Sequence, residues 1–217
     1  ISELGGPYTD DTPEFPTGSD VINQFNNHYG IASFMGHGKP AGVAVATKGV
    51  NDGDTNSKHV VTAFDNSPYN RLWINESGNG IDNMTNVDYP TVFLSMSCTT
   101  MPFDDYEYLS SPSERNMGES YTVISEGGGP TYIGNTRVGL STDTEKILNE
   151  FLRLANDTTF TNMGMLLEFA KENRKALCPP TTEICRQIYS LNMLGCPETE
   201  LWTAIPTIFY NASVSES

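Results

Sequence analysis

The sequence predicts an α/β fold built on a mostly parallel sheet with helices on both faces. Short apolar runs at residues 31–35, 91–97 and 131–134 are bounded by glycine or proline, as strands buried inside a sheet are. Two later segments, 144–154 and 163–176, carry apolar residues at helical spacing. Strands that alternate with helices give parallel sheets joined by right-handed crossovers.

The elements follow in order. Residues 1–18 hold Gly5, Gly6, Pro7, Pro13, Pro16 and Gly18 among acids, an irregular lead-in that sustains neither helix nor central strand. Ser19 or Asp20 offers an N-cap for a short helix through Asn27, with Val21, Ile22 and Phe25 facing a core. Gly30 ends it, and Ile31 to Met35 reads as a strand buried on both faces. From Ala41 to Tyr89 the chain is polar, an insertion in which only 60–64 and 72–74 read as extended. Thr91 to Ser97 is the strongest central-strand signal and ends at Cys98. Met117 to Ser125 suits a helix, Gly127 to Pro130 a break, and Thr131 to Gly134 a third strand. Residues 188–194 extend the helical region and 201–208 read as a closing strand, leaving 209–217 as a tail. The expected organisation is one domain over 19–208.

Composition excludes several functions. With 27 Asp and Glu against 12 Lys and Arg, a formal net charge of -15, the chain would be repelled by the phosphate backbone, so nucleic acid is not an expected partner. No apolar stretch reaches the length of about 20 residues that a membrane span needs. The chain begins at Ile1 rather than Met, as a piece of a larger precursor would. The four cysteines, Cys98, Cys178, Cys185 and Cys196, form no C-x-x-C pair and suggest no zinc site. Cys178 and Cys185 flank residues 179–182, as either a short disulfide in an oxidising compartment or two thiols packed on a helix end. No cofactor is required; calcium is the ion that acidic loops such as Asp104, Asp105 and Glu107 could hold as a structural ligand, although nothing in the sequence gathers those carboxylates round one point.

Chemistry gathers outside the carboxyl ends of strands in such sheets. His37, within Gly36-His37-Gly38, follows the strand ending at Met35, and Cys98 follows the strand ending at Ser97. If those strands are neighbours, about 4.8 Å apart, their end residues come within reach of proton transfer although 61 positions separate them in sequence. A thiolate attacks a carbonyl and a thiol does not; an adjacent imidazole generates the thiolate and later protonates the leaving amine. Gly38 suits an oxyanion-binding N–H because a residue without Cβ lets a substrate carbonyl approach the main chain, and the Cys98 N–H is the second donor. His28 and His59 lack the flanking glycines and the preceding strand, and read as surface residues.

Gly36-His37-Gly38 after a short strand and Ser97-Cys98 after a longer one resemble the gingipain-type cysteine peptidases, which have a caspase-like fold. Three further stretches fit the family's order: 117–119, 127–137, and 192–198 with Leu201-Trp202. The resemblance implies a cysteine endopeptidase with Cys98 as nucleophile, His37 as catalytic histidine, and the main-chain N–H groups of Gly38 and Cys98 as the oxyanion hole. It implies a protein or peptide substrate and a secreted or cell-surface location. It also implies a specificity pocket lined by the loop 135–142, with Asn135, Thr136, Arg137 and Leu140 as its lining residues. That loop holds no aromatic such as the arginine-cleaving members use, so preference for Arg or Lys does not follow. Asp143 is the nearest acid and reads as the N-cap of the next helix. The interval from His37 to Cys98 is long for the family, and only 36 residues precede His37. Sheet-edge strands, and an acid that orients the histidine, are therefore expected to be either absent or on another chain. Two alternatives use the same scaffold: a transpeptidase with the same dyad, and a catalytically inactive caspase-like binding module.

Overall fold

In the computed structural model the described residues are 17–45, 59–65, 77–104, 115–124, 126–139, 141–157, 161–176 and 183–201. Their fold positions the strand ends. Strand β1 (Ile31–Met35) pairs in parallel with β5 (Val92–Met96), which pairs in parallel with β6 (Thr131–Asn135); β7 (Leu191–Gly195) closes the order β1-β5-β6-β7 antiparallel to β6. A second, antiparallel sheet joins β2 (His37–Lys39), which precedes the stretch read as a polar insertion, to β3 (Gly42–Val45) and β4 (His59–Thr62) inside that stretch. Strand β4 overlaps the segment 60–64 that reads as extended, whereas β2 and β3 are too short for alternation to signal a strand.

Alternation of side chains across β5 and β6 splits the core into two. Phe93 and Tyr132 face one side, where they pack with Val21, Ile22 and Phe25 of α1 (Gly18–Phe25), Tyr121 of α2 (Met117–Val123), and Val43 and Val61 of the small sheet. Val92, Leu94 and Ile133 face the other, against α3 (Ser141–Asn156), α4 (Met163–Lys175) and α5 (Glu183–Ser190). Both faces of the two middle strands are therefore covered, which is why their sequences read as continuous apolar runs. Burial of Tyr132 pushes its phenol up to about 12, against the nearby hydroxyls of Ser95 and Thr100.

Several expectations need correction. β1 is not buried on both faces: it is the sheet's edge strand, with Ser33 exposed and Met35 60% exposed. Helix α1 is capped by Thr17, whose hydroxyl accepts from the Asp20 N–H while the Asp20 carboxylate accepts from the Thr17 N–H. Asp143 lies inside the first turn of α3, paired with Lys146 at 3.1 Å, and is no cap. Residues 188–194 divide, the first part ending α5 and the rest forming β7; the strand expected over 201–208 begins where the described residues end. The segment 72–74, Cys178, and the acids Asp105 and Glu107 lie outside the described residues.

One surface pair shapes acid stability. Arg153 donates to both carboxylate oxygens of Glu150 at 2.6 and 2.9 Å, and Asn173 adds a third bond. With the Arg153 bonds as the largest cause, the Glu150 carboxyl falls from an ordinary 4.5 to about 2. A carboxyl lowered on folding stabilises the protein above its unfolded value and loses that contribution as pH falls through the folded one. Between pH 4.5 and 2, Glu150→Gln is thus expected to flatten part of the decline in thermal midpoint. An unchanged acid slope in the variant would contradict this.

Candidate active site

The parallel register of β1 and β5 pairs Met35 with Met96, so both chains leave the sheet in the same direction at the same level. His37 and Cys98 each stand two residues beyond that registered pair. At His37 the chain turns into β2, which runs antiparallel to β3 with His37 opposite Ala44 and Gly38 opposite Val43. The Pro40 carbonyl at the hairpin's turn accepts from the Met117 N–H at 2.7 Å, tying the hairpin to the start of α2.

Gly38 touches the Cys98 turn directly. A Cβ there would stand 2.6 Å from the Cys98 carbonyl oxygen, 2.6 Å from Ser97 Cβ and 2.8 Å from Thr100 Cγ2. The loop after β1 and the loop after β5 thus pack main chain to main chain, which only glycine permits. His37 is exposed and Cys98 partly so. The Cys98 thiol donates to the Gly139 carbonyl at 3.3 Å.

The turn after Cys98 is held by the end of β6. Thr99 sits at φ 47°, in the left-handed region that residues with a Cβ seldom adopt. Its N–H donates to the Arg137 carbonyl at 3.0 Å, and the Met101 N–H donates to the Asn135 carbonyl at 3.1 Å. Beyond Met101, the Pro102 carbonyl accepts from the Asn116 side chain, the N-cap of α2.

The residues expected to line a specificity pocket have different fates. Asn135 is 1% exposed: its side-chain amide donates to the Ser97 carbonyl at 3.0 Å, and its oxygen accepts from Gln187 and from Ser190. Thr136 is buried, and its N–H and hydroxyl both bond the Ser190 carbonyl. These two side chains face inward because β6 is central and its carboxyl end lies under α5. Arg137 is exposed and grips both oxygens of Asp104 at 2.7 and 3.1 Å, so that acid of the suggested calcium loop holds a guanidinium. Leu140 lies outside the described residues.

His28 stacks on Tyr89 with ring centroids 3.8 Å apart, away from this assembly. A groove of about 700 Å³ between α4 and β7, lined by Met165, Phe169, Met193 and Pro197, lies at the sheet edge opposite β1. Among the described residues no three His, Cys, Asp or Glu side chains gather as metal ligands would, and no helix is long and apolar enough to cross a membrane. Sequence reasoning missed Gln187 and Ser190. They meet Asn135 across more than 50 positions, and no local pattern announces such a contact.

Comparison with curated protein sequences returns no match. Among solved structures, the chain is similar to the complex of Porphyromonas gingivalis RgpB pro- and mature domains, with TM-score 0.61 and 14% identity over 88% of this chain and 38% of that one. It is similar to the Arg-specific cysteine proteinase gingipain R (RgpB), with TM-score 0.59 and 13% identity over the same shares. A structure described as a protease matches with TM-score 0.52 and 14% identity over 90% of this chain and 41% of that one. At these identities the likeness shows the fold, which is the caspase-like one the resemblance implied, and the chain spans well under half the length of each neighbour. The profile of peptidase family C25 matches residues 3–202, nearly the whole chain, and the chain belongs to that family.

Proposed function

We propose that this chain carries the catalytic centre of a cysteine endopeptidase, with Cys98 as nucleophile and His37 as general acid and base. The supporting observation is the parallel pairing of Met35 with Met96, which sends both residues off the same sheet edge at one level. In this reading the Cys98 sulfur gives its proton to His37 and adds to the scissile carbonyl. The N–H groups of Gly38 and Cys98 hold the oxyanion. Collapse expels the amine, protonated by His37, and leaves an acyl-thioester that water hydrolyses with His37 as base. An amine in place of water would make the same intermediate a transpeptidase. The chemistry requires no cofactor. The domain proposed to carry it is 19–208, acting on protein or peptide substrates outside the cell as part of a larger precursor.

A second reading, a catalytically silent module, is favoured by the chain's covering 38% of the gingipain chains. One experiment separates the two. Limiting iodoacetamide, read by peptide mass spectrometry, is expected to modify Cys98 ahead of the exposed Cys196. Cys98→Ala is expected to abolish hydrolysis of unfolded casein without moving the melting temperature. Turnover that survives Cys98→Ala would exclude Cys98 as nucleophile; fast labelling without wild-type turnover would support the silent module.

A further inference from the structure

The peptide unit entering Cys98 is rigid, so whatever grips one end aims the other. A trans peptide is planar, and its C=O and N–H point in opposite directions; no cis bond is present among the described residues. For the unit joining Ser97 to Cys98, the carbonyl end is held by the Asn135 side chain at 3.0 Å. The other end is the Cys98 N–H, from which no described residue accepts a hydrogen bond. The following unit is fixed in the same manner. Its N–H, on Thr99, is held by the Arg137 carbonyl, and its carbonyl, on Cys98, is turned against Gly38. These two constraints accompany the positive φ of Thr99, a conformation that persists where surrounding contacts over-determine it.

Asn135 is itself locked. Gln187 and Ser190 of α5 donate to its oxygen, its amide also reaches the Thr144 hydroxyl of α3 at 3.5 Å, and Gly139 leaves room that a Cβ would take, 2.3 Å from the Asn135 amide nitrogen. The side chain therefore has one orientation, with its amide nitrogen toward the Ser97 carbonyl.

We infer that Asn135 is a positioning residue of the oxyanion hole: by gripping the Ser97 carbonyl from β6, it aims the Cys98 N–H at the oxygen of the acyl group under attack. This rests on the proposed role of Cys98 and adds to it a residue that never touches substrate. Substitution at Asn135 frees the peptide to rotate. The sulfur remains nucleophilic, and the donor loses its aim.

Two electrophiles directed at the same sulfur test this without knowledge of the natural substrate. Iodoacetamide is attacked at saturated carbon: the sulfur displaces iodide, the thiol proton leaves to base, and no oxyanion forms. p-Nitrophenyl acetate is attacked at its carbonyl, passes through an oxyanion, releases p-nitrophenolate and leaves an acetyl-thioester. Loss of one oxyanion donor costs about 10²–10³ in rate. A donor that is loosened rather than deleted is expected to cost about tenfold to a hundredfold. Asn135→Ala should therefore slow acetylation of Cys98 by that factor while its alkylation, and both reactions at Cys196, stay near wild type. Ser190→Ala, which removes one donor to the Asn135 oxygen, should show the same split in smaller form even if Asn135→Ala lacks a cooperative melt. Equal falls in both rates, or no fall in acetylation, would overturn the inference. Wild-type Cys98 reacting no faster than Cys196 with either reagent would instead overturn the proposed nucleophile.

Discussion

Gly38→Ala is expected to reduce turnover by about a hundredfold or more, the scale on which displacement of a catalytic group by about 1 Å acts. The added methyl has nowhere to go. It would stand 2.6 Å from the Cys98 carbonyl oxygen and from Ser97 Cβ, both parts of a turn already held from the far side by Asn135 and Arg137. The hairpin β2–β3 must then move off the Cys98 turn and take His37 with it. Hydrolysis of casein and the rate of Cys98 alkylation should fall together, since nucleophile and base separate. The melting temperature should fall as well, because Met117 is bonded to Pro40 of the same hairpin. A variant with wild-type turnover would mean that the packing of the two loops has no part in catalysis.

Phe93→Ala is expected to destabilise the fold by about 3–5 kcal/mol, the cost of deleting a buried aromatic side chain. Phe93 is 1% exposed at the middle of β5. Its ring meets Phe25 at 5.0 Å, Tyr132 at 5.2 Å and Tyr121 at 5.4 Å between centroids, joining α1, α2 and β6 on one face of the sheet. Those partners are held elsewhere, Tyr121 by its bond to the Thr91 carbonyl at 2.6 Å, so the cavity cannot readily collapse. Against a total stability of about 5–15 kcal/mol, such a loss leaves a domain near its threshold. The midpoint of urea unfolding gives the measurement. A loss below about 1 kcal/mol would show that the cluster repacks. Activity should fall in proportion to the unfolded fraction, unlike the Gly38 variant.

Much of this was legible in the sequence because both strands that matter announce themselves. The runs at 31–35 and 91–97 emerge as β1 and β5, and their adjacency, assumed from the chemistry, is present in the register. The helices α3 and α4 followed from apolar spacing alone. What was not legible depends on distance along the chain. Nothing near Ile31 says that its strand lies at a sheet edge, since edge or centre is decided by which other strands join it. The β2–β3 hairpin escaped notice because His37 to Lys39 is too short for a period to show. Residues 188–194 read as helix because they continue an amphipathic pattern, yet the pairing of β7 with β6 claims their second half. Only the family resemblance implies a pocket role for Asn135. Its inward bonds to Ser97, Gln187 and Ser190 could not be read from any window of sequence.

The proposed pairing of sulfur and imidazole stands or falls with the alkylation rate of Cys98 in His37→Ala, read at neutral pH by mass spectrometry beside the exposed Cys196 of the same molecules. An exposed histidine is replaced at little cost in stability, so the comparison reports chemistry rather than folding. The expected result is a fall of about 10²–10⁴-fold at Cys98, the range over which general-base assistance acts, with Cys196 unchanged. A Cys98 that reacts equally fast in both proteins would contradict the dyad.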